Sequence, residues 1–178
     1  MPNRIRALAM AVVVHLCIAA AVAAEPPEQA SGIVNYKRLH QGLAVGGTLS
    51  PEAMRNLKAM GFRTVVDLRT EAEGTAEEKA AVEGQGLRYV PVPVKPATLS
   101  LKDVEAVSRV LHDAAAAPVL LHCAASNRVG GVYGVIQVLD GKSLAEAEAA
   151  ARDAGLSSEA MAEAMRRVAA EAEALAKR

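Results

Sequence analysis

The chain has 178 residues, and its 20 Lys and Arg residues are balanced by 20 Asp and Glu residues. After residue 24 the sequence contains no basic block, and only 2% of all residues are aromatic. A nucleic-acid-binding surface needs positive charge and stacking side chains, so this composition argues against nucleic acid as a partner.

The first 24 residues have the pattern of a secretory signal peptide. Arg4 and Arg6 precede an apolar run over residues 7–24, which ends in small residues just before the polar Glu25. A basic start, an apolar run and a small-residue cleavage site predict export, here to the periplasm, with no stable membrane association after cleavage. An uncleaved membrane anchor stays open as an alternative, because the run is close to the roughly 18 residues needed for a span.

Cleavage would remove Cys17 and leave Cys123 as the only thiol. A single cysteine cannot form an internal disulfide, so Cys123 is either buried and inert or kept for its reactivity. The rest of the chain is long enough for one domain with its own core. We expect a lead-in segment over residues 25–41, flexible at its polar start, and one domain over residues 42–178.

Apolar runs of strand and helix period alternate along this domain. Strands are predicted at residues 43–45, 64–68, 87–94 and 118–122. Helices are predicted at residues 51–60, 76–85, 101–111, 129–139, 144–154 and 157–178. Ser50 is expected to cap the first of them, and Ser143 to form a capping box with Glu146. The alternation predicts an α/β fold with a central, mostly parallel sheet of about four to five strands and helices on both faces.

The segment His122–Arg128 joins the predicted strand 118–122 to the helix 129–139. A loop in this position offers backbone N–H groups without internal partners, and the helix dipole adds to their attraction for anions. Such a loop and nearby cations favour the thiolate form of a cysteine, which is the nucleophile. Arg128 can offer two parallel donors to one oxyanion. The pattern therefore predicts Cys123 as a nucleophile at the start of an anion-binding cradle.

Small residues fill this loop and let the backbone turn its amides inward. We expect the cradle to comprise Ala124, Ala125, Ser126, Asn127 and Arg128. The Ser126 hydroxyl could in addition donate a hydrogen bond to the thiolate or to a leaving group. After the loop, Gly130 and Gly131 are expected to let the helix pack closely on the sheet.

The polar residues around this loop are expected to be supporting rather than reactive. His122 is interpreted as a histidine that orients the loop through hydrogen bonds. Asp67 is expected to bond to neighbouring backbone, and Arg69 either to lie on the surface or to face the site. No metal or other cofactor is expected, because His40 and His112 fit no ligand spacing.

Four segments resemble, in order, the landmarks of the bacterial beta-lactamase hydrolase-like, phosphatase-like family, part of the cysteine-dependent phosphatase superfamily. They are residues 43–50, 64–69, 89–93 and 120–130, and the resemblance covers about residues 42–155. It implies the fold of a dual-specificity phosphatase. It also implies cleavage of phosphate esters through a cysteinyl-phosphate intermediate, with Cys123 as nucleophile, Arg128 as oxyanion-binding residue, and a small anionic or phosphorylated substrate.

The loop is shorter than that of tyrosine phosphatases, which place five residues between cysteine and arginine. Four residues separate Cys123 from Arg128. This length is normal for the narrower family and also occurs in rhodanese-like sulfurtransferases. Because a smaller ring of amides suits a persulfide or a small anion better than a full phosphate, two alternatives stay open. One is a rhodanese-like sulfurtransferase, and the other is a non-catalytic anion-binding module on the same fold.

A general acid is also missing from its usual place. Dual-specificity phosphatases carry an Asp in the loop that corresponds to residues 95–100, and this loop holds no carboxylate. Asp103, Glu71 and Glu73 are the remaining candidates. A helix cap with Ser100 is the favoured interpretation of Asp103, and a solvated loop charge that of both glutamates. Without an acid, a rate contribution of roughly 10²–10⁴-fold would be lost.

Overall fold

The computed structural model describes residues 25–176, so the predicted signal peptide lies outside the described residues. It contains one sheet of five strands in the order β1-β2-β5-β3-β4. Strand β1 runs antiparallel to β2, and the other neighbouring pairs are parallel. The strands are β1 (Lys37–His40), β2 (Leu43–Gly46), β3 (Thr64–Asp67), β4 (Arg88–Pro91) and β5 (Val119–His122). The predicted α/β architecture is confirmed.

Six α-helices surround the sheet, close to their predicted positions. They are α1 (Pro51–Asn56), α2 (Ala76–Gly84), α3 (Leu101–Leu111), α4 (Asn127–Leu139), α5 (Leu144–Asp153) and α6 (Glu159–Ala176). Their start signals act as the sequence suggests. The Ser50 side chain accepts a hydrogen bond from Ala53 N, and Ser143 forms a full capping box with Glu146.

Strand β1 was not predicted and lies within the segment expected to lead into the domain. Contacts to the preceding residues pin it in place. The Tyr36 hydroxyl donates to Pro27 O at 2.6 Å, and the Arg38 guanidinium bonds Glu25, Pro26 O and Glu28. Because these contacts join the chain before β1 to the sheet edge, the segment belongs to the folded domain.

The two faces of the sheet carry separate apolar cores, because successive strand residues point to opposite sides. On one face Val65 and Leu120 pack with α1 and α2; we call this the α1–α2 face. On the other, Val66, Leu121 and Cys123 pack with the four remaining helices; we call this the α3–α6 face. Among residues 25–176, no helix combines the length and apolarity needed to cross a bilayer.

The glycines of α4 serve helix packing and not, as expected, contact with the sheet. A Cβ on Gly130 would lie 2.5 Å from Ala151 O, and one on Gly134 would lie 2.7 Å from the Met165 side chain. A Cβ on Gly131 would overlap Met161. The small residues therefore let α4 approach α5 and α6 closely, which sets the position of the loop that precedes α4.

Candidate active site

The loop that carries Cys123 leaves the carboxyl end of β5 and enters α4. Cys123 N donates to Gly46 O at 3.3 Å, so the cysteine backbone still follows the adjacent strand β2. Helix α4 then begins at Asn127, with Ser126 in the N-cap position. Cys123 thus lies at the end of a central parallel strand, where ligands bind in folds of this class.

Two carbonyl groups of the loop are held by donors outside the loop. Thr48 N donates to Ala124 O at 3.0 Å, and the Asn35 side chain donates to Ala125 O at 3.3 Å. In a trans peptide the N–H of the next residue points opposite to the carbonyl. The amides of Ala125 and Ser126 therefore point away from Thr48 and Asn35, as an anion cradle requires.

Arg128 is clamped at one end of its guanidinium group. Nη1 donates to Leu68 O at 3.3 Å, to Val94 O at 3.2 Å and to a Glu73 carboxylate oxygen at 2.9 Å. Nη2 donates to the other oxygen of Glu73 at 2.6 Å. The two bonds to Glu73 use the hydrogens between the terminal nitrogens, and the carbonyls of Leu68 and Val94 share the other hydrogen of Nη1. The Nε–H and the outer Nη2–H share the remaining edge, and this pair of donors can bind two oxygens of one anion.

The pair of Arg128 and Glu73 corrects the expectation that Glu73 is a solvated charge. The hydrogen bond from Arg128, more than any other contact, lowers the pKa of Glu73 to about 2. Glu73 is therefore ionised at neutral pH, which does not fit the role of a proton donor. In turn the bond to Glu73 raises the pKa of Arg128, and the Cys123 side chain contributes to the same shift. The arginine thus lies beside the sulfur.

Cys123 itself is almost fully enclosed. Its side chain is 1% exposed and belongs to the aliphatic core of the α3–α6 face. Within residues 25–176 it is the one free cysteine. The sulfur is therefore enclosed beside Arg128 and does not lie on an open surface.

The remaining acid candidates lie elsewhere. Asp103 forms a capping box with Ser100, accepting from both the backbone N and the hydroxyl of Ser100, which confirms the capping interpretation. Glu71 is exposed in the short 3₁₀ turn Glu71–Glu73. The loop after β4 forms a second 3₁₀ turn, Pro96–Thr98, and the carbonyl of Val94 in this loop accepts a hydrogen bond from Arg128.

On the opposite face of the sheet, four titratable side chains, Asp67, Arg69, Glu78 and His122, form a buried cluster. Arg69 donates to Asp67 at 2.7 Å and to Glu78 at 2.6 Å. The His122 Nε2 atom lies 2.7 Å from the other oxygen of Glu78 and 3.7 Å from Asp67. Tyr89 adds a hydrogen bond from its hydroxyl to Asp67 at 2.7 Å. The expectation of a surface position for Arg69 is wrong, since its side chain is 8% exposed.

The charges within this buried cluster compensate one another. Burial alone would raise the pKa of Asp67, but bonds from Arg69, the charge of His122 and the bond from Tyr89 outweigh burial and hold that pKa below its ordinary value. Donor atoms of Asp67, Glu78 and His122 also lie within 4.8 Å of one another, as in a metal site. The Arg69 guanidinium bonds both carboxylates and so supplies positive charge to this cluster.

No pattern in the sequence indicated Glu78 as a residue of the site. Thr75 and Glu78 have capping-box spacing, which suggests a local role at the start of α2. In the structure Thr75 makes no side-chain cap, and Glu78 is 2% exposed and points into the cluster. Its partners come from β3 and β5, which only the folded topology brings together.

The comparison with known families fits this geometry. The model of the family "Beta-lactamase hydrolase-like protein, phosphatase-like domain" matches residues 35–140, more than half of the chain. The chain belongs to this phosphatase-like family. The match includes the cradle, Arg128 and every member of the buried cluster, so the resemblance seen in the sequence motifs is confirmed.

Curated relatives named beta-lactamase hydrolase-like protein include one from a strain of Xylella fastidiosa and one from Agrobacterium fabrum. The one from Xylella fastidiosa is 28% identical over 109 residues, which is 58% of this chain and 25% of the relative. The one from Agrobacterium fabrum is 27% identical over 110 residues, 59% of this chain and 25% of the relative. The chain therefore spans about a quarter of the length of these relatives.

The fold of the chain is shared by solved structures that include a phosphatase. TpbA from P. aeruginosa has a TM-score of 0.63 at 21% identity and aligns with 80% of this chain and 91% of its own. The PP-IP phosphatase SIW14 from S. cerevisiae has a TM-score of 0.63 at 17% identity, over 76% of this chain and 84% of its own. At these identities the likeness shows the fold of the phosphatase-like family and no more.

Two residues of the cradle have positions that the sequence did not reveal. Ser126 adopts a left-handed conformation with φ of 64°, and its buried hydroxyl has no hydrogen-bond partner within residues 25–176. Its side chain packs against Gly155, where an added Cβ would lie 2.5 Å from the Ser126 Cβ. This placement does not fit the expected hydrogen bond to the thiolate.

Asn127 connects the cradle to the last helix. Its side-chain oxygen accepts from Ser157 N at 2.9 Å and Ser158 N at 3.0 Å, and its side-chain nitrogen donates to the Ser158 hydroxyl at 2.9 Å. These partners lie beyond the region that the model of the phosphatase-like family matches. The cradle of this chain is thus anchored partly by residues outside the matched segment.

Proposed function

We propose that this chain is a cysteine-dependent phosphatase that cleaves small phosphate esters through a cysteinyl-phosphate intermediate. The observation that carries the proposal is Arg128, which Glu73 clamps and which lies beside Cys123 in the same strand-loop-helix cradle. A nucleophile and an oxyanion-binding group in one loop are the two parts that phosphoryl transfer through a cysteine needs.

In the first step the Cys123 thiolate attacks phosphorus and forms an S–P bond while the P–O bond to the leaving group breaks. The electron pair of that bond leaves with the alkoxide or phenolate oxygen, which takes up a proton from solvent water. The free edge of Arg128 binds two of the non-bridging oxygens, and the amides of Ala125 and Ser126 point toward the same anion. Negative charge that spreads over these oxygens in the transition state is thereby stabilised.

In the second step water attacks phosphorus, the S–P bond breaks and inorganic phosphate leaves. Cys123 returns to the thiolate, so the cycle needs no further reactant. None of the three candidate carboxylates is placed as a proton donor: Glu73 is ionised, Asp103 caps α3 and Glu71 is exposed. We therefore expect aryl phosphates, whose leaving groups need less protonation, to react faster than alkyl phosphates.

The family and the fold support this proposal. The matched family is described as phosphatase-like, and TpbA, which shares the fold, has been solved in complex with phosphotyrosine. Phosphotyrosine is an aryl phosphate, so it belongs to the substrate class that the missing acid favours here.

The test is turnover of p-nitrophenyl phosphate by the purified full chain. Cys123→Ser is expected to abolish turnover, and Arg128→Lys to lower kcat/KM by about 100-fold, because lysine keeps the charge but not the paired donors. Arg109→Lys, an exposed residue of α3, is the matched control and should leave the rate unchanged. Full activity of Cys123→Ser would refute the proposal.

A second candidate function rests on the four-residue loop between Cys123 and Arg128, which suits sulfur chemistry. In this case the Cys123 thiolate attacks the outer sulfur of thiosulfate, the S–S bond breaks and sulfite leaves, so that Cys123 carries a persulfide. Cyanide then takes the outer sulfur as thiocyanate and regenerates the thiolate. Production of thiocyanate without aryl phosphate turnover would favour this function. Sulfate binding that survives Cys123→Ser, with neither turnover, would indicate an anion-binding module.

A further inference from the structure

Glu78 contacts two side chains that support different parts of the candidate active site. One carboxylate oxygen lies 2.6 Å from Arg69 Nη2, and the other lies 2.7 Å from His122 Nε2. Glu78 is 2% exposed and comes from α2, a helix that contributes no residue to the cradle. Its carboxylate is the bridge between the two supports.

The first of these two side chains, His122, is connected to the cradle through the turn after β2. His122 Nδ1 lies 3.2 Å from Gly47 O, which fixes the turn after β2. That turn holds the loop in place, because Thr48 N donates to Ala124 O and Gly46 O accepts from Cys123 N. A Cβ on Gly47 would lie 2.7 Å from Ala124 O, so turn and cradle are in direct contact. The orientation of the His122 ring therefore affects the position of the cradle.

The second of these side chains, Arg69, is connected to Arg128 through the loop after β3. Arg69 is fixed by Asp67 and Glu78, and its own backbone N donates to Asp67 at 2.8 Å. It thereby fixes the start of the loop whose Leu68 O and Glu73 side chain hold the guanidinium of Arg128. Loss of the bond between Glu78 and Arg69 would loosen this loop at its base.

The surroundings of His122 determine its charge. A carbonyl oxygen of Gly47 and a carboxylate oxygen of Glu78 can only accept hydrogen bonds, so both ring nitrogens must carry hydrogen for both contacts to be attractive. The ring is then an imidazolium. The approach of Nε2 to the Glu78 oxygen is short but poorly aligned for a hydrogen bond, so attraction between opposite charges holds this pair.

With His122 as a cation the buried cluster is neutral. Asp67 and Glu78 supply two negative charges, and Arg69 and His122 supply two positive charges, while the Tyr89 hydroxyl donates to Asp67. A neutral His122 would leave one uncompensated negative charge in a site without water contact, which is costly. That negative charge would also oppose a thiolate on the adjacent residue, whereas an imidazolium favours it.

We propose that Glu78 is a positioning residue of this site, which holds His122 as an imidazolium behind Cys123 and fixes both supports of the cradle in one geometry. The inference rests on the proposed function in one respect, since it assigns Glu78 to the chemistry of the Cys123 thiolate. Glu78 touches neither Cys123 nor Arg128, and its effect passes through His122 and Arg69.

The test measures thiolate formation against pH by ultraviolet absorbance, in a Cys17→Ser background of the full chain where Cys123 is the only thiol. Glu78→Gln keeps the shape of the side chain but removes its charge, so His122 loses the reason for its second proton. We expect the midpoint of thiolate formation to rise by about one pH unit. Glu77→Gln, the exposed neighbour on α2, should leave the midpoint unchanged. An unchanged midpoint in folded Glu78→Gln would overturn the proposal.

A measurement on the unaltered side chains covers the case in which Glu78→Gln does not fold. The ring ¹⁵N signals of His122 at neutral pH report directly whether one or both nitrogens carry hydrogen. Two protonated nitrogens support the proposal, and a neutral ring overturns it. Neither measurement needs turnover, so a chain that shows an imidazolium but hydrolyses no phosphate ester would refute the phosphatase and not the role of Glu78.

Discussion

The two faces of the sheet are stabilised in different ways where they meet the cradle. On the α1–α2 face, Asp67 and His122 are register neighbours on β3 and β5, and they end these strands in a closed network of charges. On the α3–α6 face, Cys123 follows His122 directly and lies among aliphatic side chains. His122 and Cys123 are thus adjacent in sequence, but the first side chain lies among charged groups and the second among aliphatic ones.

This difference separates the reacting group from the groups that hold it. The sulfur and Arg128 lie on the side where helix α4 begins and packs through glycines onto α5 and α6. The charged cluster lies behind the sheet, where it acts through backbone contacts and its electric field. We therefore expect substitutions that change charge to be most costly on the α1–α2 face, and substitutions that change side-chain volume to be most costly on the α3–α6 face.

The largest loss of stability is expected from removing a charge on the α1–α2 face. Arg69→Leu would leave Asp67 and Glu78 buried without their cation, and removing one partner of a buried pair costs about 3–5 kcal/mol. Because the pKa of Asp67 is lowered in the folded state, its contribution to stability is complete above the ordinary carboxyl pKa and is lost as pH falls. The deficit of the variant in urea unfolding should therefore shrink below about pH 4.

The control for this prediction is Arg88→Leu. Arg88 forms an ion pair with Asp113 at 3.4 Å, with side chains 53% and 43% exposed. An exposed pair contributes about 0–1 kcal/mol, so this variant should unfold close to the wild type. Equal costs for Arg69→Leu and Arg88→Leu would show that the buried cluster does not act as a network.

The second largest loss of stability is expected from adding a methyl group on the opposite face. Gly130→Ala would place a methyl group 2.5 Å from Ala151 O, a backbone atom that cannot turn aside. Overpacking of this kind costs about 1–3 kcal/mol. Gly84→Ala at the end of α2 has open space around it and should be neutral or stabilising by up to about 1 kcal/mol. Thermal unfolding of both variants measures the contrast, and equal melting temperatures would contradict close packing at α4.

The smallest effect is expected at Glu73, whose loop leads from the charged face to Arg128. Glu73→Gln removes the charge that clamps the guanidinium, and we expect kcat/KM for an aryl phosphate to fall by about tenfold. Because the pKa of Glu73 is lowered from 4.5 to about 2, the pair stabilises the fold fully above pH 4.5 and loses this effect as pH falls toward 2. The difference in unfolding free energy between wild type and variant should vanish over the same window.

Glu71→Gln serves as the control for Glu73. It lies two residues away in the same 3₁₀ turn, is exposed, and its carboxylate makes no hydrogen bond or ion pair within residues 25–176. A loss of rate for Glu71→Gln as large as that for Glu73→Gln would indicate a general effect of loop charge and not a clamp on Arg128.

Local patterns predicted much of the fold. The apolar period and the caps at Ser50, Ser100 and Ser143 gave the order of strands and helices, because these signals depend on nearby residues. The position of Cys123 between a strand and a helix followed from the same patterns. Strand β1 escaped prediction because its four residues, Lys37–His40, are mostly polar and half exposed, and pairing with β2 is what makes them a strand.

The contacts of the site could not be predicted, since they join residues far apart in sequence. The contact between Arg128 and Glu73 spans 55 residues, and that between His122 and Gly47 spans 75. The sequence left open whether Arg69, just past the end of a strand, faces the site or lies at the surface, and the structure places it in the buried cluster. Only the strand order, which places β3 beside β5, brings Arg69 and His122 to the same carboxylate.

The anchoring of Asn127 and Gly130 has a consequence for dividing the protein into fragments. The family match ends at residue 140, and a fragment cut there would keep every residue of the cradle. It would lose Ser157 and Ser158, which hold the Asn127 side chain, and Leu156, against which Gly130 packs. The shortest fragment that keeps these contacts is therefore longer than the region that the family model matches. Transfer of this domain into another protein has to carry its C-terminal helices along.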